Sequence, residues 1–246
     1  MKLQIKDILG KHKNKPCFIM GLGPSLNPHL DKLKEYRSKY IMMSCNQWYK
    51  LTDVNMHYWM LSNNVNTIKN LHEVINSRGV PVFYAESVDQ TPREEAEKLL
   101  KVDYLQFDER HFTDRPLHKD LCKVYDCCAR RIPGRLTIQE EVQKFTGYSE
   151  RNTAVYTVIE HCISFAILML CNPIYVVGVE LDYAYGYAGN NILEIPNVPG
   201  WKGFVPHRHI IVENFKILNE HAKRKGLKIL NISKNPTFDA FEYGTL

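Results

Sequence analysis

Short apolar runs, each closed by turn-forming residues, alternate along this chain with longer stretches whose apolar positions recur every three or four residues. A run without polar alternation suits a strand buried on both faces, and such strands separated by helices build a mainly parallel sheet. The runs predict strands at 17–21 (CFIMG), 40–46 (YIMMSCN), 56–62 (MHYWMLS), 80–86 (VPVFYAE), 103–108 (DYLQFD), 173–181 (PIYVVGVEL) and 227–233 (LKILNIS). Helices are predicted over Leu26 to Tyr36, Val65 to Arg78, Arg93 to Lys101, Asn152 to Leu170 and His209 to Lys225, the last ended by Gly226 as its cap. The expected fold is α/β: a Rossmann-like, mainly parallel sheet with helices on both faces and a small lid insertion.

The lid is expected at 183–206, YAYGYAGNNILEIPNVPGWKGFVP, which follows a predicted strand and is rich in Gly, Pro, Asn and aromatics. A loop of that length within a compact domain commonly covers or binds something. Its position puts it at the carboxyl edge of the sheet, where open α/β sheets bind ligands. Residues 109–150 also lack a clear period.

A length of 246 residues with 44% hydrophobic content supports one large domain over 1–246 rather than two independent halves. The net charge of +5 is dispersed along the chain, which favours an anionic small molecule or an acidic surface and argues against a nucleic-acid partner. The start, MKLQIKDILGKHKNK, lacks the apolar stretch of a signal peptide, and the greasy segment Ala154 to Leu170 is interrupted by Glu160 and His161, so no transmembrane span is expected. Seven cysteines are an odd number, and Cys17, Cys45, Cys162 and Cys171 lie in apolar segments as reduced thiols do. Cys122, Cys127 and Cys128 match no common zinc spacing, so no metal is expected. A cytoplasmic location follows, with peripheral attachment to the inner face of the membrane and homo-oligomerisation left open.

The richest candidate is the turn after the first run, GLGPSL. Gly21 and Gly23 permit positive φ and leave no Cβ in the way of a ligand, Pro24 suits a first helical turn, and backbone N–H groups at a helix start accept a phosphate, to which Ser25 would add a hydroxyl. A plain tight strand-to-helix turn accounts for the same residues. The spacing is neither that of dinucleotide-binding folds nor that of a Walker loop. The next two strands end in Asn46 and Gln47 and in Ser62, Asn63 and Asn64, amides and a hydroxyl able to hold ribose, phosphate or a base edge; loop initiation is the competing use, and the stronger one for Asn64. Gly178 and Asp182, at the end of the sixth run, are further candidate binding residues, Asp182 to bind Mg, hold a ribose or simply cap a turn, and Glu180 with Asp182 would share one face of the strand.

In that order GLGPSL, CNQWY, GVELDYAYGY, a histidine before a helix and LKILNISKNPTFDAF resemble the bacterial sialyltransferases of glycosyltransferase family 42. The wider group includes 6-hydroxymethylpterin diphosphokinase-like and Maf flagellin-modification proteins, which carry a similar Gly-x-Gly-Pro-Ser-Leu turn. The resemblance covers most of the chain, with 65–150 matching only in general character. It implies a CMP-activated, sialic-acid-like donor, a glycan acceptor such as lipopolysaccharide or capsule, inversion at the anomeric carbon and no required cofactor. By motif, Gly23, Pro24 and Ser25 would line the donor's phosphate and sugar, Asn46 and Asn63 the nucleotide, and Asn152 and Thr153 the cytidine or sugar carboxylate. Tyr183, Tyr185 and Tyr187 would compete to donate to the departing phosphate. Leu22 stands where those enzymes carry Asn, and the segment around Asn152 lacks their Thr-Ser-Gly, so the sugar stays open.

Glycosyl transfer itself calls for a base poised near neutrality and for donors at the leaving phosphate. PHRHIIVEN supplies His207 and His209 as candidate bases, with Arg208 for an anionic substrate and Glu213 one turn beyond His209 to orient an imidazole. His209 is the preferred base; helix initiation is its competing use. Trp48, Trp59 and Trp201 read mostly as packing, with stacking on a sugar face a second use for Trp201 in the lid. His161, beside Glu160, reads as a buried core residue, though the helix could present one of them behind the nucleotide. Two other functions fit the pattern: ATP-dependent diphosphoryl transfer to a pterin, where Mg would need Glu180 and Asp182, and nucleotide binding without catalysis.

Overall fold

The computed structural model describes residues 1–61, 68–85, 93–107, 142, 157–181, 208–233 and 238–246. Among the described residues nine strands form one sheet in the order β1-β6-β5-β4-β3-β2-β7-β8-β9, and each neighbouring pair is parallel. The central members are β2 (Cys17–Met20), β3 (Ile41–Cys45), β4 (Tyr58–Leu61), β5 (Val82–Ala85), β6 (Tyr104–Phe107), β7 (Ile174–Val177) and β8 (Ile229–Asn231). All seven lie inside the predicted runs. The edges are two-residue strands the apolar pattern did not reveal, β1 (Lys2–Leu3) and β9 (Glu242–Tyr243). Two residues are too few to show a period.

Helices α1 (Leu33–Lys39), α2 (Ile68–Arg78), α3 (Arg93–Leu99), α4 (Val158–Leu168) and α5 (Arg208–Arg224) connect the strands. Along β2, Cys17 and Ile19 enter one core with Phe165 of α4 and Phe215 of α5. Phe18 and Met20 enter the other core with Leu33, Ile75 and Ala96 of α1, α2 and α3. Successive strand side chains thus feed opposite layers, as a doubly covered sheet requires.

The helix predicted from Leu26 begins instead as a 3₁₀ helix over Pro24–Lys32, with α1 following at Leu33. Pro28 lies inside it; it brings no N–H, and its ring would clash with a carbonyl of an α-helical turn. Helix α5 buries Ile211, Phe215, Leu218 and Ala222, one stripe at helical spacing. It ends as expected at Gly226, φ +69°, whose N–H donates to Lys223 O at 2.9 Å while Leu227 N–H donates to Ala222 O at 2.9 Å. That pair of bonds is a Schellman cap.

The chain winds outward in one direction from β2 through β3 and β4, and in the other from β7 through β8. The reversal falls between β2 and β7, and the carboxyl ends of two such strands are the place where open parallel sheets receive ligands. No helix among the described residues is long and apolar enough to cross a membrane.

Candidate functional site

Two chain segments meet at this reversal: the turn 21–25 after β2 and the segment 178–181 after β7. Gly21 N–H donates to Val177 O and Gly23 N–H to Gly178 O, each at 2.8 Å. The backbones lie so close that a Cβ on Gly21 would fall 2.1 Å from Gly178 O, and one on Gly178 would fall 2.6 Å from Gly21 O. Gly178 also has φ +72°, whereas Gly23 has φ −77° and Gly21 is not among the positive-φ residues. The expectation of positive φ at the first two glycines is therefore corrected: contact between β2 and β7 demands them. Pro24 does open the helical turn, behind Gly23 as its cap.

The donors of the turn are not aimed outward in the way the sequence pattern suggested. Ser25 N–H donates to Glu180 Oε1 at 3.0 Å. The Ser25 hydroxyl accepts from Gly178 N–H at 2.9 Å and donates to Ser233 Oγ at 3.0 Å. Ser233 N–H in turn donates to Asn231 Oδ1 at 3.0 Å. A Cβ on Gly23 would lie 1.5 Å from Glu180 Oε2, so the carboxylate rests directly on that glycine. Glu180 is 8% exposed. Burial lifts its carboxyl above the usual carboxylate range, and the hydrogen bonds from Ser25, which favour the ion, offset only part of that. Next to it Leu181 takes φ +53°, a left-handed conformation that a leucine holds at a cost of about 1–3 kcal/mol.

One strand away, Asn46 follows β3 with φ +45°. Its N–H donates to Met60 O at 2.9 Å, and its carbonyl accepts from Trp59 Nε1 at 2.9 Å. Asparagine tolerates this conformation better than most residues. Asn46 and Gln47, both partly exposed, thus stand at the carboxyl end of a strand neighbouring β2. Trp48 and Trp59 are fully buried and meet edge to face at 5.5 Å, which confirms their packing role.

Helix α5 lies on the crossover from β7 to β8, which are parallel, so its first turn stands at the carboxyl edge of the sheet, as the turn 21–25 does. Arg208 there is partly exposed and His209 exposed, with Glu213 exposed one turn along. Behind them Asn214 Nδ2 donates to Glu160 Oε1 across a short contact. Glu160 Oε2 accepts from Thr157 N–H at 2.7 Å, closing a capping box at the start of α4. Glu160 and His161 are buried, and the His161 ring meets Phe107 edge to face at 4.8 Å. They belong to the core.

The fold brings Gly21, Gly23, Pro24, Ser25 and Gly178 into contact and sets Asn46, Gln47, Arg208 and His209 on the same edge. Ser62, Asn63, Asn152, Thr153, Asp182, Tyr183, Tyr185, Tyr187, Trp201 and His207 lie outside the described residues, as do 183–206, Cys122, Cys127 and Cys128. Glu180 in its contact with Ser25, and Ser233 with Asn231, are features that reading the sequence missed. The ending LNIS of the last predicted strand carried the same signal as the polar endings of the second and third. Cys17, Cys45, Cys162 and Cys171 are free and buried, as expected.

No family model and no curated protein matches the sequence. Among solved structures the chain is similar to a Maf glycosyltransferase from Magnetospirillum magneticum AMB-1, with a TM-score of 0.56 and 14% identity over 96% of this chain and 34% of that one. The chain thus spans about a third of that protein. It is also similar to the sialyltransferase CstII from Campylobacter jejuni in complex with cytidine-5'-monophosphate, with a TM-score of 0.45 and 15% identity over 91% of this chain and 82% of that one. At these identities the likeness establishes a fold shared with the Maf glycosyltransferase, α/β and Rossmann-like.

Proposed function

We propose that this chain is an inverting glycosyltransferase that uses a CMP-activated, sialic-acid-like sugar and a glycan acceptor, without a required metal. The observation that carries the reading is the convergence of 21–25 and 178–181 at the carboxyl edge, where the winding of the sheet reverses between β2 and β7. The fold shared with the Maf glycosyltransferase supports the reaction class, and the motifs resembling sialyltransferases support the donor.

In this reading an acceptor hydroxyl attacks the anomeric carbon from the face opposite the nucleotide. A new C–O bond forms as the bond to the phosphate oxygen breaks, CMP departs with the electron pair, and the hydroxyl proton passes to an imidazole. His209, exposed at the start of α5, is the preferred base, with His207 beside it. Arg208 would hold an anionic group, and the hydroxyls of Tyr183, Tyr185 and Tyr187 would stabilise charge on the departing phosphate. Asn46, Gln47, Ser62 and Asn63 would hold the nucleotide, Asn152 and Thr153 the cytidine or sugar carboxylate, and Trp201 a sugar face. The acceptor would be a cell-surface glycan, modified at the cytoplasmic face of the membrane by a single domain closed by its lid.

Melting the protein with CMP, CDP, UDP, GDP and ATP, with and without Mg, tests the reading. Ligand at about a hundred times its dissociation constant adds nearly 3 kcal/mol of stability, so CMP is expected to give the largest upward shift, unchanged by EDTA. Stabilisation by ATP only when Mg is present would replace this reading with phosphoryl transfer. Failure of every nucleotide to shift the transition would end it.

A further inference from the structure

Resting on that reading, we infer that Glu180 is an internal anion that occupies the phosphate-receiving position of the Gly-x-Gly-Pro-Ser turn, so that a ligand phosphate enters there only by displacing it. A 3₁₀ helix opens at Pro24, which carries no N–H, and with Gly23 N–H bound to Gly178 O and Leu26 N–H to Gly23 O, Ser25 N–H is the first-turn amide left to attract an anion. The anion that reaches Ser25 N–H is the chain's own, at 3.0 Å from Oε1. The carboxylate also rests where any side chain at position 23 would stand, and it is 92% shielded from water by the fold, being 8% exposed. Its backbone comes from the 178–181 segment, which holds both Gly178 at φ +72° and Leu181 at φ +53°.

Two consequences separate this role from simple structural support. A phosphate and a carboxylate cannot share one amide, because like charges repel strongly where the carboxylate is buried, as Glu180 is. The wild-type protein therefore binds a phosphate-bearing ligand less tightly than the same turn without the charge. An uncharged nucleoside, having no group to contest the position, is indifferent to it. Glu180 thereby regulates the occupancy of its own site, keeping the turn ordered when empty and weakening retention of any phosphate seated there.

Glu180→Gln tests the inference, since glutamine keeps the size of the side chain and an oxygen to accept from Ser25 N–H while removing the charge. Calorimetric titrations of wild type and variant with CMP, with cytidine and with inorganic pyrophosphate, after melting has confirmed that both are folded, give three affinities each. The variant is expected to bind CMP and pyrophosphate at least tenfold more tightly and cytidine unchanged. Equal changes for CMP and cytidine, weaker CMP binding, or no gain for either anion would overturn it. Pyrophosphate gaining affinity where no nucleotide binds would uphold the inference and refute the nucleotide-sugar reading. Nucleotides that bind both proteins equally well would do the reverse, and no binding of any probe would refute both.

Discussion

Gly21 and Gly178 are packing partners: each occupies the space that a side chain on the other would need, with a Cβ on Gly21 falling 2.1 Å from Gly178 O. The contact closes the sheet at the point where its winding reverses, and no rotamer change can relieve it because the obstructing atom is backbone.

Gly21→Ala is accordingly expected to destabilise the protein by about 3 kcal/mol or more, since β2 and β7 must separate to admit a methyl group. Gly178→Ala adds an unfavourable φ to a similar clash. Gly79→Ala is the control: it has φ +64° but nothing within 4 Å of the added carbon, so its cost is limited to about 1–2 kcal/mol of backbone strain. Urea unfolding of the three variants measures the difference.

His57 adds to the acid sensitivity of the fold. Burial, followed by the Arg37 guanidinium 2.8 Å from Nε2, pushes its pKa down to about 4, and Nδ1 accepts from Met42 N–H at 3.0 Å. A folded-state pKa below the unfolded one makes the contribution complete above pH ~6.5 and lost as pH falls towards 4. Discounted for the half-exposed ring, it amounts to about 1 kcal/mol. An NMR titration is expected to place the ring near 4, and Arg37→Met to raise that midpoint only part of the way, because burial is the larger cause.

The pairing of Asn214 with Glu160 anchors α5 on α4. Asn214→Ala removes a donor from a buried carboxylate and is expected to cost about 1–3 kcal/mol. Asn214→Asp sets a second carboxyl against Glu160, so its loss at neutral pH is larger and recovers on acidification. Denaturation at pH 7 and pH 5 distinguishes the two.

His209→Ala and His207→Ala, made separately, are expected to divide in effect. Loss of the base lowers transfer by about 10²–10⁴-fold. Because His209 is exposed at the start of α5, its removal leaves the melting temperature nearly unchanged. Full activity in both variants would remove imidazole from the mechanism.

Much of this protein was determined by its sequence alone. Apolar runs such as CFIM and IMMSC define β2 and β3 because only a sheet covered on both faces buries every residue of such a run, and the stripe Ile211, Phe215, Leu218, Ala222 defines the buried face of α5. These are local periodicities, readable without knowing which strand neighbours which. Strand order was another matter. Ser25 meets Glu180, 155 residues away, and Ser233, 208 residues away, and no spacing within either segment foretells those contacts. Only the assembled sheet decided that the glycines of the first turn serve the approach of β7 rather than positive φ, and that a buried carboxylate already holds the amide best suited to a phosphate. Close packing and charge act between surfaces, and which surfaces meet is settled by the tertiary structure.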